Sequence, residues 1–187
     1  PHQNCRPVGC SVQLLVIHGI SLPAGQFGGG WIETLFSGGF LDSGRCDGGA
    51  PIINDPWAEL RELRVSAHFL IRRDGELLQF VATHMRAWHA GVSSFLGRSN
   101  CNDFSIGVEL EGTDLTPYTD VQYLGLVRLY RSLAVRYPTL PPDAVVGHQH
   151  IAPGRKSDPG EAFDWPRFFQ SIGVRPARGH PAIQVRE

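Results

Sequence analysis

The stretch GHQHIAPGRKSDPG, residues 147–160, places two histidines, a lysine and an aspartate in a segment punctuated by glycine and proline. The apolar residues 144–146 before it predict a short buried strand, so His148 emerges at a strand end, where a rigid scaffold can orient an imidazole. The turns that glycine and proline favour can bring Asp158 back beside His148. Imidazole nitrogen and carboxylate oxygen suit zinc, but a catalytic zinc site needs a third protein ligand.

A second histidine follows an apolar run near the N-terminus. Residues 12–17 are nearly all apolar, which is typical of a strand buried on both faces, and the run ends in His18-Gly19. One histidine of this kind is most often a hydrogen-bonded core or loop residue. Two such histidines with Asp158 favour a metal site, although on chemistry alone His150 could replace His148 as the ligand.

Length, composition and charge predict one globular domain. The chain has 187 residues, of which 42% are hydrophobic and 19% charged, and its formal net charge is -1. We expect a single domain over residues 1–187, with a core at about 11–173 and a frayed, flexible tail at 175–187. The balanced charge argues against nucleic acid as a partner, and the apolar runs are too short to span a membrane.

The N-terminal segment and the cysteines give weaker indications about local structure and cellular location. Residues 1–10 contain two cysteines and two prolines and few apolar side chains, so we expect an irregular leader there. The four cysteines have no CxxC spacing in a chain too large to depend on disulfides, which favours free thiols and a cytoplasmic location. A periplasmic location is the alternative, and a monomer is expected.

Several secondary-structure elements can be predicted around these segments. An Asp-Gly turn between residues 65–71 and 77–81 predicts a hairpin, and His68 inside its first strand is expected to be structural or part of a site wall. Thr119 followed by Asp120 opens one long helix over 118–137, and a short helix is predicted over 163–172. Together these elements predict an α/β fold with a central mixed sheet flanked by helices.

Residues 21–56 are rich in glycine and form a long excursion between predicted elements. A short helix is predicted within it at residues 31–36, and a second one over 56–63. Long loops of compact domains are usually lids, binding loops or plain insertions. We expect the part from Phe36 to Pro56 to control access to the site, with a passive insertion as the alternative.

The segment FSIGVELEG, residues 104–112, predicts a strand that carries two carboxylates on one face, Glu109 and Glu111. An exposed polar face is the ordinary explanation of such a pattern. The functional explanation is a general base for a metal-activated water, which a zinc hydrolase requires. Trp88 also has two possible roles, because an indole can fill the core or form a flat platform for a sugar ring.

The motifs together resemble a known family. The blocks that carry the likeness, which spans about residues 5–170, are LLVIHGISLP (14–23), LRVSAHFLIRRDG (63–75), RAWHAGVSSF (86–95), CNDFSIGVELEGTD (101–114), YTDVQY (118–123) and GHQHIAPGRKSDPGEAFDW (147–165). In this order they are similar to the AmpD-type N-acetylmuramyl-L-alanine amidases, whose wider group includes T7-type lysozyme and peptidoglycan recognition proteins.

The resemblance implies a zinc site and a reaction. It implies His18, His148 and Asp158 as zinc ligands, with Glu109 activating the attacking water and Lys156 stabilising the oxyanion. It also implies a muropeptide substrate, cleaved between N-acetylmuramic acid, in its 1,6-anhydro form, and L-alanine.

Several details depend on the resemblance alone. It makes Arg64 and Trp88 candidate substrate-binding residues and leaves His150 outside the ligand set. A zinc-free muropeptide-binding module and a periplasmic amidase acting on intact cell wall are the rival functions.

Overall fold

The computed structural model describes residues 2–39, 60, 63–176 and 179–182. Its strands are β1 (Gln3–Cys5), β2 (Leu14–Ile20), β3 (Phe69–Ile71), β4 (Leu77–Gln79), β5 (Met85–Ala87), β6 (Ser94–Phe95), β7 (Arg98–Ser99), β8 (Ser105–Glu111) and β9 (Val145–Gly147). Its helices are α1 (Trp31–Ser37), α2 (Asp120–Arg136), α3 (His148–Ile151) and α4 (Trp165–Ile172), and Cys101–Asp103 form a 3-10 turn. The predicted α/β class is confirmed.

A mixed sheet forms the centre of the described chain. Its strand order is β4-β3-β8-β2-β9, in which β4 is antiparallel to β3 and the other neighbours run parallel. All of β8 and most of β2 are buried, which explains the continuous apolar run in β2. Because β3, β8, β2 and β9 run in one direction, their carboxyl ends lie at the same edge of the sheet.

The long helix α2 is joined to the sheet by polar as well as apolar contacts. Thr119 caps it, and Thr119 and Gln122 form the reciprocal hydrogen bonds of a capping box. The buried Gln122 Nε2 donates to the carbonyl oxygens of Ile71 (3.1 Å) and Glu111 (2.9 Å), at the ends of β3 and β8. The predicted start of this helix is confirmed, and its cap is anchored to the edge where the parallel strands end.

The shorter helix α1 packs on a second apolar cluster. Its buried residues Ile32, Leu35 and Phe36 contact Ala67 and the β3 residue Leu70. The predicted helix over residues 31–36 is therefore confirmed with one more residue at its end. Residues 40–56 of the glycine-rich excursion, and the helix predicted over 56–63 apart from its residues 60 and 63, lie outside the described residues.

Two expectations about local structure need correction. His18 lies within β2 rather than at its end, because Gly19 and Ile20 continue the parallel pairing with β8. The leader is not irregular throughout, because β1 pairs antiparallel with β5. Such a short polar strand has no apolar alternation, so only its distant pairing partner reveals it.

The C-terminal residues 179–182 contact the rest of the domain. His180 is buried, its Nε2 lies 2.7 Å from the carbonyl oxygen of Asp143, and its ring packs on Phe169. Ala182 is buried as well. Residues 179–182 therefore have an apolar and a polar partner on the domain, and fraying of the tail at 175–187 stays a prediction.

The β3–β4 hairpin and the free state of the described cysteines agree with what the sequence predicted. Strands β3 and β4 pair across the Asp-Gly turn, with Gly75 at φ +90°, although both are shorter than predicted. Cys5, Cys10 and Cys101 are free thiols. In the described part of the chain, no helix combines the length and the apolar character needed to cross a membrane.

Candidate metal centre and active site

Three side chains from distant parts of the chain bring metal-ligating atoms together. The Nδ1 atoms of His18 and His148 lie 3.1 Å apart, and Asp158 Oδ2 lies 3.1 Å from the first and 3.2 Å from the second. They form the one group of this kind found among the described residues. These are the three residues that the resemblance implied.

The dimensions of this triangle suit a tetrahedral ion. Zinc binds nitrogen and oxygen ligands at about 2.0 Å, which places ligand atoms about 3.3 Å apart on a tetrahedron. The three separations of 3.1–3.2 Å match this edge length. Two imidazoles and one carboxylate are also a ligand set of catalytic zinc sites, in which the fourth position is left for water. The residues present therefore fit a zinc ion.

Each ligand is held by a different element. His18 is fixed in the central strand β2, and His148 begins α3 directly after β9. Asp158 lies on the following loop, where its carbonyl oxygen accepts a hydrogen bond from the Gln149 amide (3.0 Å). The Tyr118 hydroxyl donates to the carbonyl oxygen of the next residue, Pro159 (3.0 Å). The sheet thus places the histidines, and these hydrogen bonds return the carboxylate to them.

The protein environment gives His18 and Asp158 the protonation states in which these residues can bind a metal ion. Burial lowers the pKa of His18 to about 4, although the hydrogen bond to Asp158 opposes the shift, so this imidazole is neutral at pH 7. Burial favours the neutral form of Asp158, but the hydrogen bonds from His148 and His18 dominate and hold its pKa well below the usual range. Neutral imidazole and ionised carboxylate are the states that bind metal ions.

Glu109 faces the same cleft. Its position on β8 pairs with His18 on β2, so both side chains project from one face of the sheet. Glu109 is buried, and it lines the cleft with the three metal-ligating residues and Lys156. Burial, and then the negative charge of Asp158, raise the pKa of Glu109 well above its usual value, while Lys156 lowers it. A carboxylate with a raised pKa is suited to accept a proton.

Glu111 shares this strand face but has a different role. One of its carboxylate oxygens accepts from the Gly28 amide (2.5 Å) and the other from the Arg73 amide (3.2 Å). It therefore joins the segment before α1 to the β3–β4 hairpin. Pattern alone left Glu109 and Glu111 equivalent, and the structure separates them by their partners.

The second histidine of the HxH pair points away from the ligand cluster. His150 Nδ1 accepts a hydrogen bond from the Gly147 amide (2.8 Å), and its ring packs on Trp165 with centroids 5.4 Å apart. It is absent from the metal-ligating group of the described residues. Its place in α3, whose backbone is helical rather than extended, turns it away from His148.

His89 is a site residue that the sequence did not reveal. It is buried, and its Nδ1 lies 3.0 Å from His18 Nε2, the ring nitrogen that does not face the metal group. Its ring also fills the space above Gly107, where an added Cβ would lie 2.4 Å from the imidazole. A glycine inside an apolar strand is a known sign of close approach by another group, and Gly107 was the signal that could have pointed to it.

Comparison with known proteins identifies the family. A family model described as N-acetylmuramoyl-L-alanine amidase matches residues 9–161. The chain belongs to this amidase family. One relative, the 1,6-anhydro-N-acetylmuramyl-L-alanine amidase AmpD of Salmonella typhimurium (strain SL1344), is 54% identical over 174 residues, which are 93% of this chain and 88% of the relative.

Solved structures of amidases share the fold. A crystal structure of a selenomethionine AmpD derivative superposes with a TM-score of 0.81 at 51% identity, covering 92% of this chain and 90% of that one. The amidase AmiD from Escherichia coli, in complex with anhydro-N-acetylmuramic acid-L-Ala-D-gamma-Glu-L-Lys, superposes with a TM-score of 0.61 at 28% identity. That alignment covers 93% of this chain and 62% of that one.

The two candidate substrate-binding residues of this amidase lie outside the innermost cleft. Arg64 is exposed and Trp88 half-buried, and neither is among the described residues that line the cleft around Glu109. The Trp88 indole donates to Asn4 Oδ1 (2.7 Å), and its ring stacks with His2 at a centroid distance of 5.7 Å. One face of the indole is thus covered by the N-terminal segment, and binding by either residue stays a prediction.

Proposed function

We propose that the chain is a zinc-dependent amidase that cleaves muropeptides between N-acetylmuramic acid, in its 1,6-anhydro form, and L-alanine, as in peptidoglycan recycling. The observation that carries the proposal is the convergence of His18, His148 and Asp158 in the cleft that also holds Glu109 and Lys156. The names of the relatives support the substrate: AmpD is a 1,6-anhydro-N-acetylmuramyl-L-alanine amidase, and AmiD was solved with an anhydromuramyl peptide.

The ligand triad would hold the metal ion. When bound, zinc supplies Lewis acidity, which polarises a carbonyl oxygen and lowers the pKa of a bound water from about 16 towards about 7. Because His18 is neutral and Asp158 is ionised at neutral pH, neither of these two residues has to release a net proton when the ion binds.

Glu109 is the proposed general base and acid. It accepts a proton from the water as the water oxygen bonds to the amide carbon, and returns it to the nitrogen of L-alanine as the carbon–nitrogen bond breaks. Its raised pKa favours the first transfer, since a carboxylate that binds its proton more firmly is a stronger base. The rigid pairing of β8 with β2 keeps it beside His18 throughout.

Lys156 is proposed to stabilise the transition state. It lines the cleft and its charge acts on Glu109 and on His18, which places the ammonium group near the reacting atoms. Negative charge develops on the carbonyl oxygen as water attacks, and a positioned cation stabilises that charge. Because the side chain is exposed, it can also contact the substrate before the reaction.

The wider binding surface follows from the same arrangement. We place Arg64 and Trp88 on the path of the sugar and peptide outside the innermost cleft. Leu35 and Phe36 of α1 form an apolar wall of the innermost cleft itself. We further propose that the enzyme acts as a monomer on soluble fragments in the cytoplasm. Nucleic acid and membranes are not expected partners.

The test is zinc content and product formation by the purified chain. We expect about one zinc per chain, and cleavage of anhydro-N-acetylmuramyl tripeptide into anhydro-N-acetylmuramic acid and free tripeptide that a chelator abolishes. Isolated cell-wall sacculi are the second substrate, and faster cleavage of sacculi would favour the periplasmic alternative. Muropeptide binding without zinc and without cleavage would overturn the proposal in favour of a binding module.

A further inference from the structure

We propose that His89 is a positioning residue of the metal centre, which holds His18 in the tautomer and orientation that leave its Nδ1 free for the ion. This inference rests on the proposed zinc site and adds a residue to its support. The contact is direct: His89 Nδ1 lies 3.0 Å from His18 Nε2, and the two rings meet edge to face at 84° with centroids 5.0 Å apart.

A metal on His18 Nδ1 would fix the direction of the hydrogen bonds around His89. A His18 Nδ1 that binds a metal has no proton, so the proton of the neutral ring is on Nε2 and is donated to His89 Nδ1. His89 then carries its own proton on Nε2, where Ser105 Oγ lies 3.0 Å away and can accept it. With a metal on His18 Nδ1, the chain from Ser105 through His89 to His18 therefore stabilises the tautomer that carries its proton on Nε2.

His89 is held in place from both sides. Its ring lies against Gly107, where any larger residue would displace it, since an added Cβ would come within 2.4 Å. Its backbone amide and that of Ala90 both donate to Asn102 Oδ1, at 3.1 and 2.8 Å. These contacts fix the ring without using either of its nitrogens.

The same short segment also supports the second histidine ligand. His148 Nε2 lies 3.1 Å from the carbonyl oxygen of Ala90, which can accept its proton and so leave His148 Nδ1 for the metal. Arg155 donates to the carbonyl oxygens of Ala90 (2.6 Å) and Val92 (2.7 Å) and so holds this segment on the loop that carries Asp158. Two consecutive residues thus orient two ligands, one with a ring nitrogen and one with a carbonyl oxygen.

The test compares variants of His89 by their zinc dissociation constants, measured by competition with a chelator. In His89→Asn the amide oxygen can stand where Nδ1 stood and still accept from His18, whereas His89→Leu removes the acceptor. We expect His89→Leu to bind zinc about 10- to 100-fold more weakly and His89→Asn to stay within about threefold of the parent, as for other outer partners of metal-ligating histidines. His180→Leu removes another buried histidine, which contacts Asp143 and Phe169, and should leave the constant unchanged.

Two further measurements keep the result specific. Ser105→Ala leaves the His89 ring in place but removes the acceptor of its Nε2 proton, so we expect zinc to bind about threefold to tenfold more weakly. Nitrogen NMR of the zinc-loaded parent should show the metal on Nδ1 of His18 and a proton on Nε2. None of these readouts depends on turnover. The thermal midpoint of each variant, measured without zinc, shows separately whether the substitution has only destabilised the fold.

The outcomes separate this inference from the proposed function. If the parent holds zinc and both His89→Leu and Ser105→Ala bind it as tightly as the parent, His89 only fills space and the inference is wrong. Metal bound through Nε2 of His18 would also overturn it. If the parent holds no zinc at all, it is the proposed function that fails.

Discussion

His18 on β2 and Glu109 on β8 are paired residues of adjacent parallel strands. Paired positions project to the same side of a sheet, so the backbone register alone places the imidazole of His18, a proposed metal ligand, beside a buried carboxyl group. A shift of one residue in that register would turn one of the two side chains to the opposite face. The geometry of the site is therefore a property of the two seven-residue strands in the interior of the sheet.

The metal ligands give the first prediction. His18→Ala, His148→Ala and Asp158→Ala should each lose bound zinc, because each removes one of three ligand atoms that lie 3.1–3.2 Å apart. His150→Ala is the matched control, since its ring faces Gly147 and Trp165 instead. Elemental analysis of the four purified variants measures the effect. Loss of zinc from the control alone would show that the ligand set is wrong.

The second prediction separates the two carboxylates of β8. Glu109→Gln should keep its zinc and bind muropeptide, yet lose at least about 10²-fold in kcat because an amide cannot accept the proton. Glu111→Gln should stay within about tenfold in kcat, which corresponds to about 1.4 kcal/mol. It should instead lower the thermal midpoint, because Glu111 accepts from the Gly28 and Arg73 amides. Steady-state kinetics and thermal melts of both variants test this, and the reverse order of kcat would contradict it.

Local signals made part of this architecture predictable. The apolar run at residues 12–17 and the Asp-Gly turn at 74–75 report on the chain within a few residues, and both gave the right elements. The capping residue Thr119 likewise marked the start of α2. Such features depend on short-range sterics and hydrogen bonding, which the sequence displays directly.

Features that depend on distant partners could not be predicted in this way. The three-residue strand β1 exists because it pairs with β5, about eighty residues later in the chain. The contact of His89 with His18 depends on the distant packing that places the His89 imidazole over Gly107 of β8. The docked residues 179–182 depend on a pocket formed by Asp143 and Phe169. None of these partners leaves a periodic pattern in the segment concerned.

The candidate site shows the same division. His148 and Asp158 lie ten residues apart, and the glycine and proline residues between them predicted a turn that brings them together. His18 could be a structural histidine or a metal ligand until its neighbours were known. Glu109 and Glu111 have the same pattern position, and only their hydrogen-bond partners distinguish them. The family resemblance supplied the distinction that composition and spacing could not.

The third prediction concerns Lys156. Lys156→Ala should lower kcat about 10²- to 10³-fold, because a preorganised cation at a developing oxyanion contributes about 3–4 kcal/mol. Zinc content should not change, since the ammonium group is not a metal ligand. Exposed Lys156 makes little contribution to packing, so the thermal midpoint should also be unchanged. Pre-steady-state cleavage of anhydro-N-acetylmuramyl tripeptide measures the effect, and a change confined to KM would indicate a substrate-binding role instead.

The last prediction is a pH dependence of stability from His68. Burial lowers the pKa of His68 to about 3, and its Nδ1 accepts from the Gly107 amide (3.0 Å), so the folded protein keeps this ring neutral. The unfolded chain, with a pKa near 6.5, binds a proton between about pH 3 and 6.5 that the folded chain does not. The free energy of unfolding contributed by His68 is therefore complete above pH 6.5 and falls as the pH is lowered, by up to about 1.36 kcal/mol per pH unit.

The variant His68→Asn tests this prediction, because it keeps an acceptor for the Gly107 amide but has no group that titrates. Its unfolding free energy, measured with denaturant in the same metal state as the parent, should fall less steeply between pH 6 and 4. Parallel curves for the two proteins would show that His68 does not titrate on unfolding.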